Sequence, residues 1–222
     1  MLQAVVFDFD GLIADTESNE YAGWQSVYAD YGCVLHPDEW AKAVGAGPTA
    51  FDAFDHLVSL SGLSLDREAT YAEWAARRDR LNDGLPTLPG VETLIERLLT
   101  EGVPIGVASS SRRAWVEGHL GRFGILDHFA VVVTRDDHEP KPAPDLYLAA
   151  CALLGADPAW SVALEDSTNG VLAAKRAGMK AVAVPNAITL SYDFSMADVV
   201  VGSMEAVDVE FLRELVVGSA SF

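Results

Sequence analysis

The chain has 222 residues, half of them hydrophobic and 22% charged, so it can bury a core in one large or two modest domains. That composition excludes a disordered, collagen-like or coiled-coil chain. With 33 acidic residues against 15 basic ones the net charge is −18, a field that repels nucleic acid and anionic membrane surfaces and obliges any phosphorylated substrate to meet positive charge locally.

The start, Met1-Leu2-Gln3-Ala4-Val5-Val6, has no basic leader, and no apolar stretch is long enough for a membrane span. The expectation is a cytoplasmic protein, monomer or weak dimer. Ala4–Phe7 is the first strand pattern. From residue 16 to 86 nothing reads as a strand, and the apolar positions recur at helical spacing. Tyr21, Trp24, Tyr28 and Tyr31 form one stripe, Phe51, Phe54, Leu57 and Val58 a second, and Tyr71, Trp74 and Leu81 a third. Nine of the 20 aromatic residues fall here, enough for a small core of its own. Val91, Leu94, Ile95, Leu98 and Leu99 predict a helix ending at Gly102. Strand patterns then recur at 105–108, 130–133, 162–164, 181–184 and 199–201, with helices predicted over 147–154 and 168–177. These runs are β-branched and nearly continuous, as in strands covered on both faces. The fold class is therefore α/β: a parallel sheet with helices on both faces and an all-helical insertion after the first strand. The expected boundaries are 1–15 and 87–222 for the core and 16–86 for the insertion. Ligands of open parallel sheets bind beyond the carboxyl ends of the strands, so the insertion should cover that site.

Four stretches carry chemistry. Asp8-Phe9-Asp10-Gly11 follows the first strand, and carboxylates two apart can face one site, where a cation or a shared proton relieves their repulsion. Glu165-Asp166 ends another apolar run, and together the four carboxylates offer an all-oxygen site suited to Mg2+. Ser109-Ser110-Ser111 can cradle a phosphate with hydroxyl and backbone N–H groups. Lys141 lies in Glu139-Pro140-Lys141-Pro142-Ala143-Pro144, where three prolines should hold the chain extended and stiff so that the ammonium reaches a fixed anion. Each stretch alone also has a plainer reading: a turn at Asp10-Gly11, N-caps at Asp166 or Ser167 and at Ser110 or Ser111, a solvated loop lysine. Cys33, Cys151 and the five histidines have no ligand spacing.

The ordered set resembles the haloacid dehalogenase superfamily, in the subgroup of small phosphatases and phosphomutases with a helical cap. Asp8-Phe9-Asp10-Gly11 with Asp15-Thr16-Glu17, then Ser109, then Lys141 in Lys-Pro-Ala-Pro-Asp, then Glu165-Asp166-Ser167 match its four motifs in order. The resemblance implies a Rossmann-like core with residues 16–86 as cap. It implies Asp8 as nucleophile, Asp10 as acid and base, and Ser109 and Lys141 holding phosphoryl oxygens. Mg2+ would sit on the Asp8 carboxylate, the Asp10 carbonyl and Asp166, with Glu165 supporting through water. The reaction implied is hydrolysis of a small phosphorylated metabolite, such as a sugar or polyol phosphate, through an aspartyl-phosphate. Thr16, Glu17, Glu20, Ser110, Arg77, Arg78 and the 45–50 loop form the expected specificity surface. The cap segment has 12 acidic and 5 basic residues, so it is no broad anion trap.

Three other readings stand beside this one. A phosphomutase must bind a second phosphate, but Glu20 replaces the histidine that follows the first motif in the sugar phosphomutases, and the 45–50 loop has no basic residue; Arg77, Arg78 or Arg80 would have to compensate. A true dehalogenase needs no metal and fits the four carboxylates less well. An idle Mg2+- and phosphate-binding module would keep the motifs without turnover.

Overall fold

The computed structural model describes residues 1–40 and 51–218. Its frame is a six-stranded, wholly parallel sheet built from β1 (Ala4–Phe7), β2 (Ile105–Ser109), β3 (Val131–Thr134), β4 (Ser161–Glu165), β5 (Lys180–Ala183) and β6 (Val199–Val200), in the order β3-β2-β1-β4-β5-β6. β1 lies centrally, with Phe7 level with Val107 of β2 and Leu164 of β4. Alternate side chains of each strand serve opposite layers. Val5, Phe7, Ile105, Val107, Val162 and Leu164 pack with α5 (Val91–Thr100), α6 (Arg113–Phe123) and α9 (Val209–Val217). Val6, Ala108, Ala163, Ala181 and Ala183 face α7 (Asp145–Leu154) and α8 (Thr168–Arg176). The small alanines on this second face let the helices approach closely. The predicted α/β class, with helices on both faces of a parallel sheet, is the observed one.

Between β1 and α5 the chain forms α1 (Thr16–Asp30), α2 (Pro37–Trp40), α3 (Ala53–Ser61) and α4 (Arg67–Asn82). Asp15, Asp52 and Asp66 cap α1, α3 and α4 by accepting backbone N–H bonds from Ser18, Asp55 and Ala69. These helices enclose a separate aromatic core of Tyr21, Trp24, Tyr28, Trp40, Phe54 and Leu57. Trp24 stacks on Trp74 of α4 with centroids 5.4 Å apart, and the Tyr28 hydroxyl donates to the Ala53 carbonyl at 2.6 Å. The outgoing and returning chains run together, because the Leu88 amide donates to the Ile13 carbonyl at 2.8 Å. Since all six strands are parallel, their carboxyl ends share one edge, and β1, β2 and β4 deliver Asp8, Ser109 and Glu165 to neighbouring positions on it.

Candidate active site

Asp8 follows β1 directly, and its amide donates to the Leu164 carbonyl at 2.9 Å, which sets it beside the end of β4. The buried Lys141 ammonium contacts the Asp8 carboxylate and lies 2.6 Å from Glu165 Oε1. Glu165 is wholly buried and bonded through both oxygens. Oε1 also accepts from the Tyr147 hydroxyl at 2.6 Å, while Oε2 accepts from the Ser167 hydroxyl at 3.1 Å and its amide at 3.3 Å. Gly170 makes this packing possible, since a Cβ there would sit 1.9 Å from the Glu165 carboxylate. Ser167, not Asp166, caps α8, accepting from the Gly170 amide at 3.1 Å.

The Pro-rich mount of Lys141 is a folded turn rather than the extended rod expected, with the Ala143 amide donating to the Pro140 carbonyl at 3.1 Å and a cis Lys141-Pro142 bond. Proline fixes φ but leaves ψ free, so it stiffens a turn as readily as an extended chain. Ser110 ties this turn to β2 by accepting the Lys141 amide at 3.1 Å. Neither Ser110 nor Ser111 caps α6; the Arg113 amide donates to Asp136 at 2.9 Å instead.

Asp10 enters from the turn after β1, closed by Ile13 N–H to the Phe9 carbonyl at 2.9 Å and Gly11 N–H to the Ala14 carbonyl at 2.8 Å. Its Oδ1 accepts from the Thr16 hydroxyl and the Trp115 indole N–H, both at 2.8 Å, and its Oδ2 from Ser111 at 2.6 Å and more weakly from Ser109 at 3.4 Å. Gly11, at φ +79°, lies against Asp166, and a Cβ there would sit 2.2 Å from Asp166 Oδ2. Asn186 fixes that carboxylate, donating to Oδ2 at 2.7 Å and to the Gly11 carbonyl at 3.1 Å.

Asp8, Glu165 and Asp166 each present an oxygen within 4.8 Å of the others, all buried. That spacing is comparable to the ~4.2 Å across an octahedral magnesium, and the donor set is hard oxygen throughout. Burial pushes the Asp8 carboxyl up to about 8, against the lowering by Lys141 and with a further rise from Glu165 and Asp10. Asp166 is raised well above its usual range by burial and then by Asp8 and Glu165. Burial would lower Lys141, but Asp8 and Glu165 outweigh it and keep the ammonium charged. One lysine among so many buried carboxylates leaves negative charge that a divalent cation would balance. The residues present therefore fit Mg2+.

From α1, Glu17 and Glu20 face this edge. Burial raises both, Glu17 well above its usual range and Glu20 to about 7, with Asp10 adding to each and Arg78 and Arg135 partly offsetting the rise at Glu20. The Arg78 guanidinium lies 4.6 Å over the Trp74 and Trp115 rings. Arg77 is not brought to the site: it donates to Ser26 at 2.8 Å and pairs with Asp30 and Glu73. Successive residues on a helix point about 100° apart, and Arg77 accordingly leaves α4 towards Ser26 and Asp30 while Arg78 leaves it towards Trp115. Arg80 is exposed, and the 45–50 loop lies outside the described residues. Sequence reasoning placed Ser111 in a phosphate cradle or at an N-cap but not against Asp10, and it missed Trp115, Tyr147 and Asn186. Only Ser111, beside Ser109, had a local signal.

Carboxylates, a serine and a buried lysine are gathered at one edge of a parallel sheet, an arrangement whose chemistry suits a phosphoryl group and a divalent cation. The sequence matches the haloacid dehalogenase-like hydrolases over residues 5–184, and the chain belongs to that family, as an enzyme of its phosphatase type. It is 41% identical over 215 residues to the protein YhcW of Bacillus subtilis (strain 168), covering 96% of this chain and 97% of that one. It is 32% identical over 181 residues to the validoxylamine A 7'-phosphate phosphatase of Streptomyces hygroscopicus subsp. limoneus, covering 81% and 84%. The crystal structure of CbbY from Rhodobacter sphaeroides in complex with phosphate superposes with a TM-score of 0.75 at 26% identity, covering 93% of this chain and 96% of that one. Among the described residues no helix is long and apolar enough to cross a membrane.

Proposed function

We propose that this enzyme is a Mg2+-dependent phosphatase of small phosphomonoesters, a sugar or other polyol phosphate, working through an aspartyl-phosphate on Asp8, with residues 16–86 acting as a cap on a core of 1–15 and 87–222. The observation that carries the reading is the buried Lys141 ammonium shared by Asp8 and Glu165. Lys141 restrains one Asp8 oxygen and leaves the other to attack phosphorus. Burial raises the Asp8 carboxyl, so Mg2+ bound beside Lys141 would be what holds it as the anion, and a carboxylate in that form needs no base to activate it. Ser109 and Lys141 then hold the phosphoryl oxygens. Asp10 gives its proton to the departing alkoxide and later takes one from the hydrolytic water, returning Asp8 to its free form. Asp8, Asp166 and the Asp10 carbonyl would hold Mg2+, which supplies positive charge against the phosphoryl oxygens. Both Glu165 oxygens are engaged by Lys141, Tyr147 and Ser167, so its part is to fix Lys141 rather than to complete the inner ligand set.

Glu17 and Glu20 favour hydrolysis over a phosphomutase reaction, because carboxyl groups facing Asp10 offer no positive charge to a second phosphate and suit substrate hydroxyl groups as hydrogen-bond partners. Purified protein with Mg2+ should release phosphate from members of a sugar- and polyol-phosphate panel, with EDTA abolishing the release and Asp8→Asn lowering it by ~10³-fold or more, the scale of removing a nucleophile. Equal hydrolysis by wild type and Asp8→Asn would refute the assignment. Isomerisation of a hexose 1-phosphate without phosphate release would move it to the mutases.

A further inference from the structure

We propose that Trp115 is a positioning residue for Asp10, and that Arg78 of α4 holds its indole in place, so that a contact between the helical segment and the sheet layer aligns the proton-handling carboxyl. This rests on the acid–base role proposed above for Asp10.

Asp10 accepts from four donors, and they are not equivalent. The Thr16, Ser109 and Ser111 hydroxyls can rotate to accept as well as donate, whereas an indole N–H only donates. The 2.8 Å bond from Trp115 therefore fixes Oδ1 as an acceptor and confines the exchangeable proton to Oδ2, the oxygen beside Ser111 and Ser109. An acid must offer its proton from a defined atom in a defined direction, and the bond supplies both constraints.

The indole is itself held from several sides. The His119 ring meets it edge to face with centroids 4.3 Å apart, and the Arg78 guanidinium lies 4.6 Å from its centroid. Arg78 is equally close to the Trp74 ring and is oriented by Asp79, which accepts its Nε–H at 2.9 Å and an Nη2 hydrogen at 2.7 Å. Trp74 in turn stacks on Trp24 in the aromatic core of the helical segment. An unbroken chain of ring and cation contacts thus runs from that core to the Asp10 carboxylate.

The test is the dependence of kcat/KM on the leaving group, using p-nitrophenyl, phenyl and benzyl phosphate with Mg2+. These esters are similar in size, but the need for a proton on departure rises along the series. Trp115→Phe keeps a ring and removes the N–H. Its loss in kcat/KM should grow by about tenfold or more from the p-nitrophenyl to the benzyl ester, a fraction of the 10²–10⁴ that general acid catalysis supplies. Arg78→Leu should show the same trend with a smaller gradient. A loss equal for all three esters in Trp115→Phe, or no loss, overturns the proposal. Should that variant fail to fold, the same two outcomes in Arg78→Leu overturn it. A graded loss in Trp115→Phe with an even one in Arg78→Leu overturns the part assigned to Arg78. Wild-type protein inert towards all three esters would instead refute the phosphatase reading, and this proposal with it.

Discussion

Glu165 and Gly170 illustrate how strictly single residues are constrained at this edge. A wholly buried carboxylate is tolerated because Lys141, Tyr147 and Ser167 take up its lone pairs. That arrangement needs bare space above Gly170, where a Cβ would stand 1.9 Å from the carboxylate. Gly170→Ala must push Glu165 aside, and with it the ammonium that restrains Asp8. We expect a loss of about 1–3 kcal/mol in denaturant unfolding, the usual scale of overpacking, together with a fall in phosphate release larger than that of a surface Gly→Ala such as Gly118→Ala, a position with nothing within 4 Å. Unchanged stability and turnover in Gly170→Ala would show that Glu165 does not hold Lys141 in the way the geometry indicates. The carboxylates, Ser109 and Lys141 are legible in the sequence because each follows an apolar run or sits among prolines. Trp115 and Asn186 are not, because their bonds to Asp10 and Asp166 join positions 105 and 20 residues apart and no local pattern marks them.

Among the elements, the six strands are the most legible, since continuous β-branched runs bounded by turns have few other uses in a chain of this composition. The structure shifts their ends by a residue or two, extending β2 to Ser109 and β4 to Glu165, which brings these two candidate side chains onto the strands and leaves Asp8 just beyond β1. Two helices escape the same reading. α6 contains Gly118 and Gly121 and turns His119 inward, so its apolar stripe is broken, yet it carries Trp115. α9 has Val209, Leu212, Leu215 and Val216 at helical spacing but lies beyond the last strand and adds no motif. The helical segment owes its legibility to its aromatic residues, and these also give it its cohesion. Trp24 is buried and meets Tyr28, Tyr71 and Trp74. Trp24→Ala should cost about 3–5 kcal/mol, the range for removing a buried aromatic side chain. Because α1 also carries Thr16, Glu17 and Glu20, the variant's phosphate release should fall while its far-UV circular dichroism keeps the sheet signal. A loss below about 1 kcal/mol would mean that the aromatic cluster contributes little to that segment.

For the molecule as a whole, the −18 charge and the acidic edge pull stability in a direction opposite to that of ordinary paired carboxylates. Burial, then Asp10, raises Glu20 from 4.5 to about 7, so the folded chain holds a proton there that the unfolded chain has released. Between those values the native state binds more protons than the unfolded one, and linkage makes stability fall as pH rises through the window. Glu17, raised by burial and by Glu20 and Asp10, adds in the same sense. His119 works the other way. Burial and Arg122 lower it, so its contribution is present above the ordinary histidine value of 6.5 and lost as pH falls below it. Comparing wild type with Glu20→Gln cancels that opposing group. One pKa unit corresponds to ~1.4 kcal/mol, and the partial exposure of Glu20 to water trims the full shift. Moving from about pH 5 to about pH 8 without metal, wild type should therefore lose about 1–2 kcal/mol more than Glu20→Gln in urea unfolding. Parallel pH profiles for the two proteins would mean that the Glu20 carboxyl titrates as it does in water, and that the charge crowding at this edge is relieved by solvent before any cation arrives.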